Sequence, residues 1–355
     1  MRYLRFGFST AIVLCISCQT PAPVESSTNA DAAPIVSKEK KDRPEIEKQT
    51  ELGLAYATDG LYREALNVFR KILKRDKSHL ESHRSLGIIY VKVGRYKKAI
   101  KHLEIAIEKI KSDFEANYYL AEAYRTQDRY ADAIFRYKIA LTIKPKNLLA
   151  TKALAWSYYR VRYYRAALST IKRLEKKDRE DLQATIIEAR VLNKVGANKS
   201  ALRLTKNKLE KASAEQKPYL LSVIGDIYLS RKEQKKAEDS YREALKDQPL
   251  LAGALLGLAK VLLNKGERSD IAVSYLERAL RIKPGLVEAL YYLGEAHKEK
   301  KPKLSRKYFA KFVRQASGDP EHKRLIQVAL RDMKLRQRTK TAVAPTMRQQ
   351  SSRVQ

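Results

Sequence analysis

Ala65, Ala99, Ala133, Ala167 and Ala201 stand 34 residues apart along this 355-residue chain. Tyr56, Tyr90, Tyr124 and Tyr158 keep the same interval, as do Tyr62, Tyr96, Tyr130 and Tyr164, and Gly53 and Gly87. The register continues through Ala237, Ala272 and Ser305 with spacings of 36, 35 and 33. A period of this length means one supersecondary unit copied along the chain, and no copy can bury its apolar face alone, so neighbours must stack. Each unit holds two apolar stretches of helical period, split at a Gly, Asp or Lys turn. Small residues at the Gly53, Gly87, Ala121 and Ala155 positions let paired helices approach, and large ones such as Tyr62 and Phe69 fill the space beside them. The prediction is an all-α solenoid of about eight helix-turn-helix units over residues 46–318.

The first unit, LGLAYATDGLYREALNVFRKIL, carries Leu52, Gly53, Tyr56, Gly60, Tyr62, Ala65 and Phe69. The second supplies Leu86, Gly87, Tyr90, Gly94, Tyr96, Ala99 and Ala106. The third has Leu120, Ala121, Tyr124, Tyr130, Ala133, Tyr137, Ala140 and a closing Pro145, and units six and seven close on Pro249 and Pro284. This order resembles the tetratricopeptide repeat, and the resemblance implies a right-handed superhelix with the first helix of each pair lining a concave groove. Units four, five and eight fit less well; in unit five Glu188 and Thr205 stand where apolar residues belong. The segment ASAEQKP (212–218) is the expected irregularity. Residues 319–338 read as a capping helix, and residues 339–355, with positive charges only and almost no apolar period, as a disordered basic tail.

Residues 1–17 join Arg2 and Arg5 to an apolar run from Phe6 to Ile16, too short to span a bilayer and patterned as a secretory signal. Ser17 before Cys18 resembles the lipobox of bacterial lipoproteins, which implies acylation at Cys18; Cys15 in place of the usual Leu departs from that pattern. Residues 18–45, rich in Pro, Ala and Ser, are expected to be a flexible tether. Gln19 is not the Asp that retains lipoproteins in the inner membrane. The resemblance therefore implies an outer-membrane anchor with the body facing the periplasm.

The formal net charge is +33, of which residues 46–318 hold +26. Such a field favours acidic partners. Both cysteines lie in the first twenty residues, so the body has no thiol nucleophile and no cysteine metal ligand. His79 and His83 have metal-like spacing, but no third ligand is near in sequence. No phosphate-binding glycine loop or nucleophile elbow occurs. The reading is a non-enzyme with no cofactor and no metal.

On the repeat register, the groove-facing residues of units two to five are Arg84, Lys92, Tyr118, Arg125, Lys152, Trp156, Tyr159, Arg160, Arg190, Asn193 and Lys194. Cations interleaved with aromatics, including the chain's only Trp, are the composition of a binding hot spot. The expected function is a lipid-anchored periplasmic scaffold that grips an acidic or aromatic segment of a protein partner. Its plan resembles the lipoproteins of this repeat class that assist type IV pilus and secretin assembly or gliding motility. The alternative is direct binding of an envelope polyanion such as anionic lipid, lipopolysaccharide or cell-wall polymer. Nucleic acid suits the charge but conflicts with export.

Overall fold

The computed structural model describes residues 33–266, 269–319 and 322–334. It divides into residues 1–48 and 49–355 as two compact units. Helix α1 (Ala33–Thr58) crosses that division. It begins well inside the stretch expected to be tether. The correction has a local cause: residues 37–48 are mostly Lys, Glu and Arg, which are strong helix formers, and Pro34 stands in the first turn, where its missing N–H is tolerated. Pro44, inside the helix, removes one backbone hydrogen bond. Cys18, the leader and the tail 339–355 lie outside the described residues.

From Gln49 onward the chain is helical pairs. α2 (Tyr62–Arg75) completes the first, and α3 (Leu80–Lys92) with α4 (Tyr96–Lys109) and α5 (Phe114–Thr126) with α6 (Tyr130–Ile143) form the next two. α7 (Leu148–Arg160) pairs with a shorter α8 (Tyr164–Lys172), followed by the single turn α9 (Lys176–Arg179). α10 (Leu182–Lys194) pairs with α11 (Asn198–Glu210), α12 (Lys217–Ser230) with α13 (Gln234–Asp247), and α14 (Ala252–Asn264) with α15 (Ser269–Ile282). α16 (Val287–Ala296) and α17 (Pro302–Ala316) make the last pair, and α18 (residues 323–334) follows. From α2 to α17 successive helices pack on one another, with α8 packing on α10 past the single turn α9, and first helices from α3 onward also touch the first helices of neighbouring pairs. There is no strand among the described residues.

One core position explains the period. Phe69, Leu103, Tyr137, Ile171, Thr205, Tyr241, Leu276 and Phe309 occupy it in successive second helices, and none is more than 1% exposed. Opposite stand Gly53, Gly87, Ala121, Ala155, Ala189, Gly225, Ala259 and Gly294, whose small size admits the large partner. Burying each large apolar side chain contributes about 1.5–3 kcal/mol. Thr205 is the polar exception, and its hydroxyl is satisfied by donating to the Ala201 carbonyl at 2.8 Å. Glu188, the other misfit, reaches Arg179 at 3.3 Å.

The turns inside the pairs repeat as well. The Gly60 N–H bonds the Ala57 carbonyl, and the Leu61 N–H bonds the Tyr56 carbonyl, which is the paired-bond helix stop with a left-handed residue between. The longer bond recurs from Arg95 to Tyr90, Arg129 to Tyr124, Tyr163 to Tyr158, Ala197 to Leu192 and Glu233 to Tyr228. Asp128, Arg162 and Lys232 hold the left-handed position, at φ of 57°, 65° and 62°, where other units use glycine.

α18 packs Leu325, Ile326, Val328 and the buried Ala329 on Leu290, Tyr291, Phe309 and Phe312, which closes the apolar end of the stack. The interval 211–216 between α11 and α12 is the foreseen irregularity; the shortened α8 and the inserted α9 are a second one, not foreseen.

Candidate functional site

The first helices α7, α10, α12, α14 and α16, together with residues 322–325, enclose a cavity of about 810 Å³. Trp156, Tyr159, Arg160, Arg190, Asn193 and Lys194 line it. These six come together because α7 and α10 are neighbouring first helices, so residues one repeat apart, such as Trp156 and Arg190, lie side by side. Trp156 stacks on Tyr159, with ring centroids 5.2 Å apart, and the Arg190 guanidinium lies 5.9 Å from the Trp156 ring centre. Asn193 donates from Nδ2 to the Ser230 hydroxyl at 3.0 Å, while its Oδ1 is buried with no hydrogen-bond partner.

The electrostatics of the cavity are one-sided. Arg162, Lys260, Lys283 and Arg324 add cations to its lining, against Asp226 and Glu288. Lys260 is committed to Glu288 at 2.9 Å, and Asp226 accepts from the Tyr241 hydroxyl at 2.7 Å. Burial first, and then Arg160 and Arg190, push the Lys283 ammonium below its ordinary value. Arg160 itself pairs with Asp319 at 2.7 Å and covers the Tyr130 ring at 4.7 Å.

The other five sequence candidates stand elsewhere. Lys152 is buried and bonds Asp181 at 2.9 Å, the same carboxylate that caps α10 through the Ala184 N–H. Burial would raise Asp181, but Lys152 and the cap N–H groups hold it below its ordinary value. Arg84 is held by Glu81, Asp113 and Glu115, and Asp113 caps α5. Both cations therefore fasten one first helix to the N-terminus of the next. Arg125 is paired with Glu122 in its own helix. Tyr118 packs on Phe114 and Tyr137, and burial pushes its hydroxyl up to about 12. Lys92 is exposed, 5.5 Å from the Tyr62 ring centre.

The histidine spacing resolves differently from a metal site. His79 caps α3, its Nδ1 accepting from the Ser82 N–H at 3.2 Å. His83 Nε2 meets the Lys77 carbonyl at 3.0 Å and therefore donates to it. His83 Nδ1 meets His102 Nδ1, also at 3.0 Å, so one ring donates and the other accepts.

Sequence reasoning missed Lys283, Arg324 and Asp319. Lys283 precedes the closing Pro284 in a connection between pairs, and Arg324 belongs to α18, so neither falls on a first helix of the repeat.

The family model described as Tetratricopeptide repeat matches residues 50–107, 84–147, 223–286 and 256–320, together more than half of the chain. The unmatched centre, 148–222, holds the shortened α8, the inserted α9 and the polar core residues Glu188 and Thr205. Among solved structures, a tetratricopeptide repeat protein from Parabacteroides merdae aligns with a TM-score of 0.63 and 14% identity, over 71% of this chain and 98% of that one. At that identity the likeness concerns the fold. The APC/C hetero-tetramer Cut9–Hcn1 aligns with a TM-score of 0.49 and 14% identity, over 76% of this chain and 52% of that chain. No curated protein matches the chain in sequence.

Proposed function

Since the chain belongs to the tetratricopeptide repeat family, whose members are generally non-catalytic scaffolds that bind protein partners, we propose that its concave cavity receives an acidic, aromatic-bearing segment of such a partner. The observation that carries this reading is the wall made by Trp156, Tyr159 and Arg190. The half-buried Trp156, held by stacking on the buried Tyr159, offers rigid contact area, and the Arg190 guanidinium over it makes no ion pair with any described residue. A few residues carry most of the binding energy of a typical interface, and Trp, Tyr and Arg are enriched among them. The body's charge raises the encounter rate, and the aromatic wall sets the residence time.

The setting we propose is the bacterial envelope, with an acyl chain on Cys18 tethering the solenoid to the outer membrane, where it helps a pilus, secretin or motility complex assemble. The leader-like residues 1–17 and Ser17–Cys18 support this part. A Cys18→Ala variant that partitions with membranes as the wild type does would contradict it.

A second reading, binding of envelope polyanion, is favoured by α11, where Lys199, Arg203, Lys206 and Lys208 make no ion pair with any described residue. Affinity capture from cross-linked cells separates the two. Wild type is compared with a Trp156→Ala/Arg190→Glu variant at low and moderate salt. Specific proteins lost from the variant and retained at moderate salt support the cavity. Capture that ignores the variant and collapses with salt supports the polyanion.

A further inference from the structure

The caps of the first helices change along the stack. His79, Asp113, Asn147 and Asp181 start α3, α5, α7 and α10, and each accepts a backbone N–H of its own helix. Counted back from the small core residue of each pair, Leu251 and Leu286 stand at the same place in α14 and α16. Neither makes a side-chain cap, so two helices forgo a hydrogen bond that Asp or Asn would supply. Both leucines line the cavity, half-buried, together with Leu229, Val287 and Leu325. Leu229, Leu251 and Leu286 pack on the core of α12 to α16, and Val287 and Leu325 on the core under α18. Gly253 and Gly285 line the cavity as well and leave it open there. An added Cβ at Gly285 would meet nothing within 4 Å, and one at Gly253 only the Ser222 hydroxyl, at 3.6 Å. A local rule broken twice at one surface marks a functional place.

We propose that this aliphatic side of the cavity takes the apolar face of an amphipathic helix of the partner, whose acidic and aromatic side chains meet Arg190 and Trp156. The inference deepens the cavity reading and rests on it. Two properties of the lining select the occupant. Its aliphatic residues come from α12, α14, α16 and α18, and its aromatic and cationic wall from α7 and α10, so one segment must show apolar groups to one part and acidic groups to the other. The segment must also satisfy its own backbone, because polar groups of the lining are committed. Lys260 holds Glu288, Asp226 takes the Tyr241 hydroxyl, and Asn193 donates to Ser230. An extended segment would bury N–H and C=O groups without partners, whereas a helix pairs them internally. An apolar helix face laid into an apolar groove is a recurring mode of recognition, and the excess of cations over acids in the lining suits an acidic edge on that helix.

The test uses the full chain and two fluorescein-labelled peptides of the same composition, followed by anisotropy at moderate salt. In one, Leu recurs at i, i+3, i+4 and i+7 with Glu and Phe on the other face; in the second the same residues are permuted to remove that period. The helical pattern is expected to bind about tenfold more tightly. Leu251→Asn/Leu286→Asn, which restores two caps, is expected to weaken that binding about tenfold while melting within a few degrees of wild type. Gly253→Leu, which fills open space and favours the helix, is expected to weaken binding and raise the melting temperature. Suppose binding is lost in Trp156→Ala/Arg190→Glu, yet the two peptides bind equally, or the leucine and glycine variants both bind as wild type does. Either result would overturn the aliphatic site and leave the cavity reading standing. Binding of neither peptide, or binding that Trp156→Ala/Arg190→Glu does not reduce, would overturn both.

Discussion

Arg160, the last residue of α7, and Asp319, just past α17, are 159 positions apart in sequence and 2.7 Å apart in space. Every other ion pair between described residues joins partners at most 34 positions apart. The rest of the electrostatic network is thus local to one repeat or to two neighbours, as expected of a stack whose units touch only their neighbours. This long-range pair ties Asp319, just past α17, to Arg160, which lines the cavity.

The Lys152–Asp181 pair is structural, which gives a sharp contrast with the cavity cations. Asp181→Ala strands a buried ammonium and removes the α10 cap, and should cost about 3 kcal/mol. Denaturant unfolding measures that loss. Capture of the partner by the folded fraction should stay at the wild-type level, whereas Arg190→Glu should do the reverse, lowering capture with little change in stability.

Tyr241 is gripped between α12 and α14. A Cβ at Gly257 would lie 2.2 Å from its ring, and one at Gly225 would lie 2.5 Å away. Neither the ring nor the backbone can yield by that amount, so Gly257→Ala should destabilise by about 2–3 kcal/mol. Gly285→Ala, where an added Cβ meets nothing within 4 Å, is the control and should be near neutral in thermal melts.

Much of this was legible in the sequence, because a position that repeats must do the same packing job in each unit. The 34-residue register located the large-on-small core contacts and placed Trp156, Tyr159, Arg160, Arg190, Asn193 and Lys194 on the lining of one cavity. It misplaced Arg84 and Lys152 because their partners belong to the next unit. The signal was present: His79, Asp113, Asn147 and Asp181 cap successive first helices at the same 34-residue interval, and each cap acid that takes a cation stands 29 residues after it. Where the cation is replaced by Tyr118, the acid is replaced by Asn147. The approach of Asp319 to Arg160 was not legible, since it depends on curvature accumulated over the intervening pairs. The helix over residues 33–45 was missed because its Pro and Ala content outweighed the Lys/Glu run that follows.

Lys232 sits at φ 62° in a turn where other units have glycine. A left-handed conformation costs a residue with a Cβ about 1 kcal/mol, partly offset by the extra freedom glycine has when unfolded. Lys232→Gly should therefore stabilise by about 0.5 kcal/mol, read as a higher denaturation midpoint with an unchanged slope.

Acid should loosen the second unit. Burial first, then His83 and the cations Lys101, Arg70 and Lys98, push His102 down to about 4. The unfolded chain then binds a proton more readily than the folded one. This stability is fully present above pH 6.5 and falls away as the pH drops towards 4. Carboxylates held low, such as Asp181, lose theirs only at more acidic pH, below their ordinary value of 3.8. His102→Gln should flatten the loss between those two histidine values, measured by urea unfolding across the range.

The most direct measurement places a photo-reactive benzoylphenylalanine at Tyr219, on the cavity lining, and separately at Phe135, 58% exposed on α6. Both exchanges replace one aromatic by another. After irradiation in cells, the account predicts that position 219 cross-links to a discrete partner protein, that position 135 does not, and that Trp156→Ala/Arg190→Glu abolishes the product at 219. Cross-linking from 135 with none from 219, or a product at 219 that survives the double variant, would contradict it.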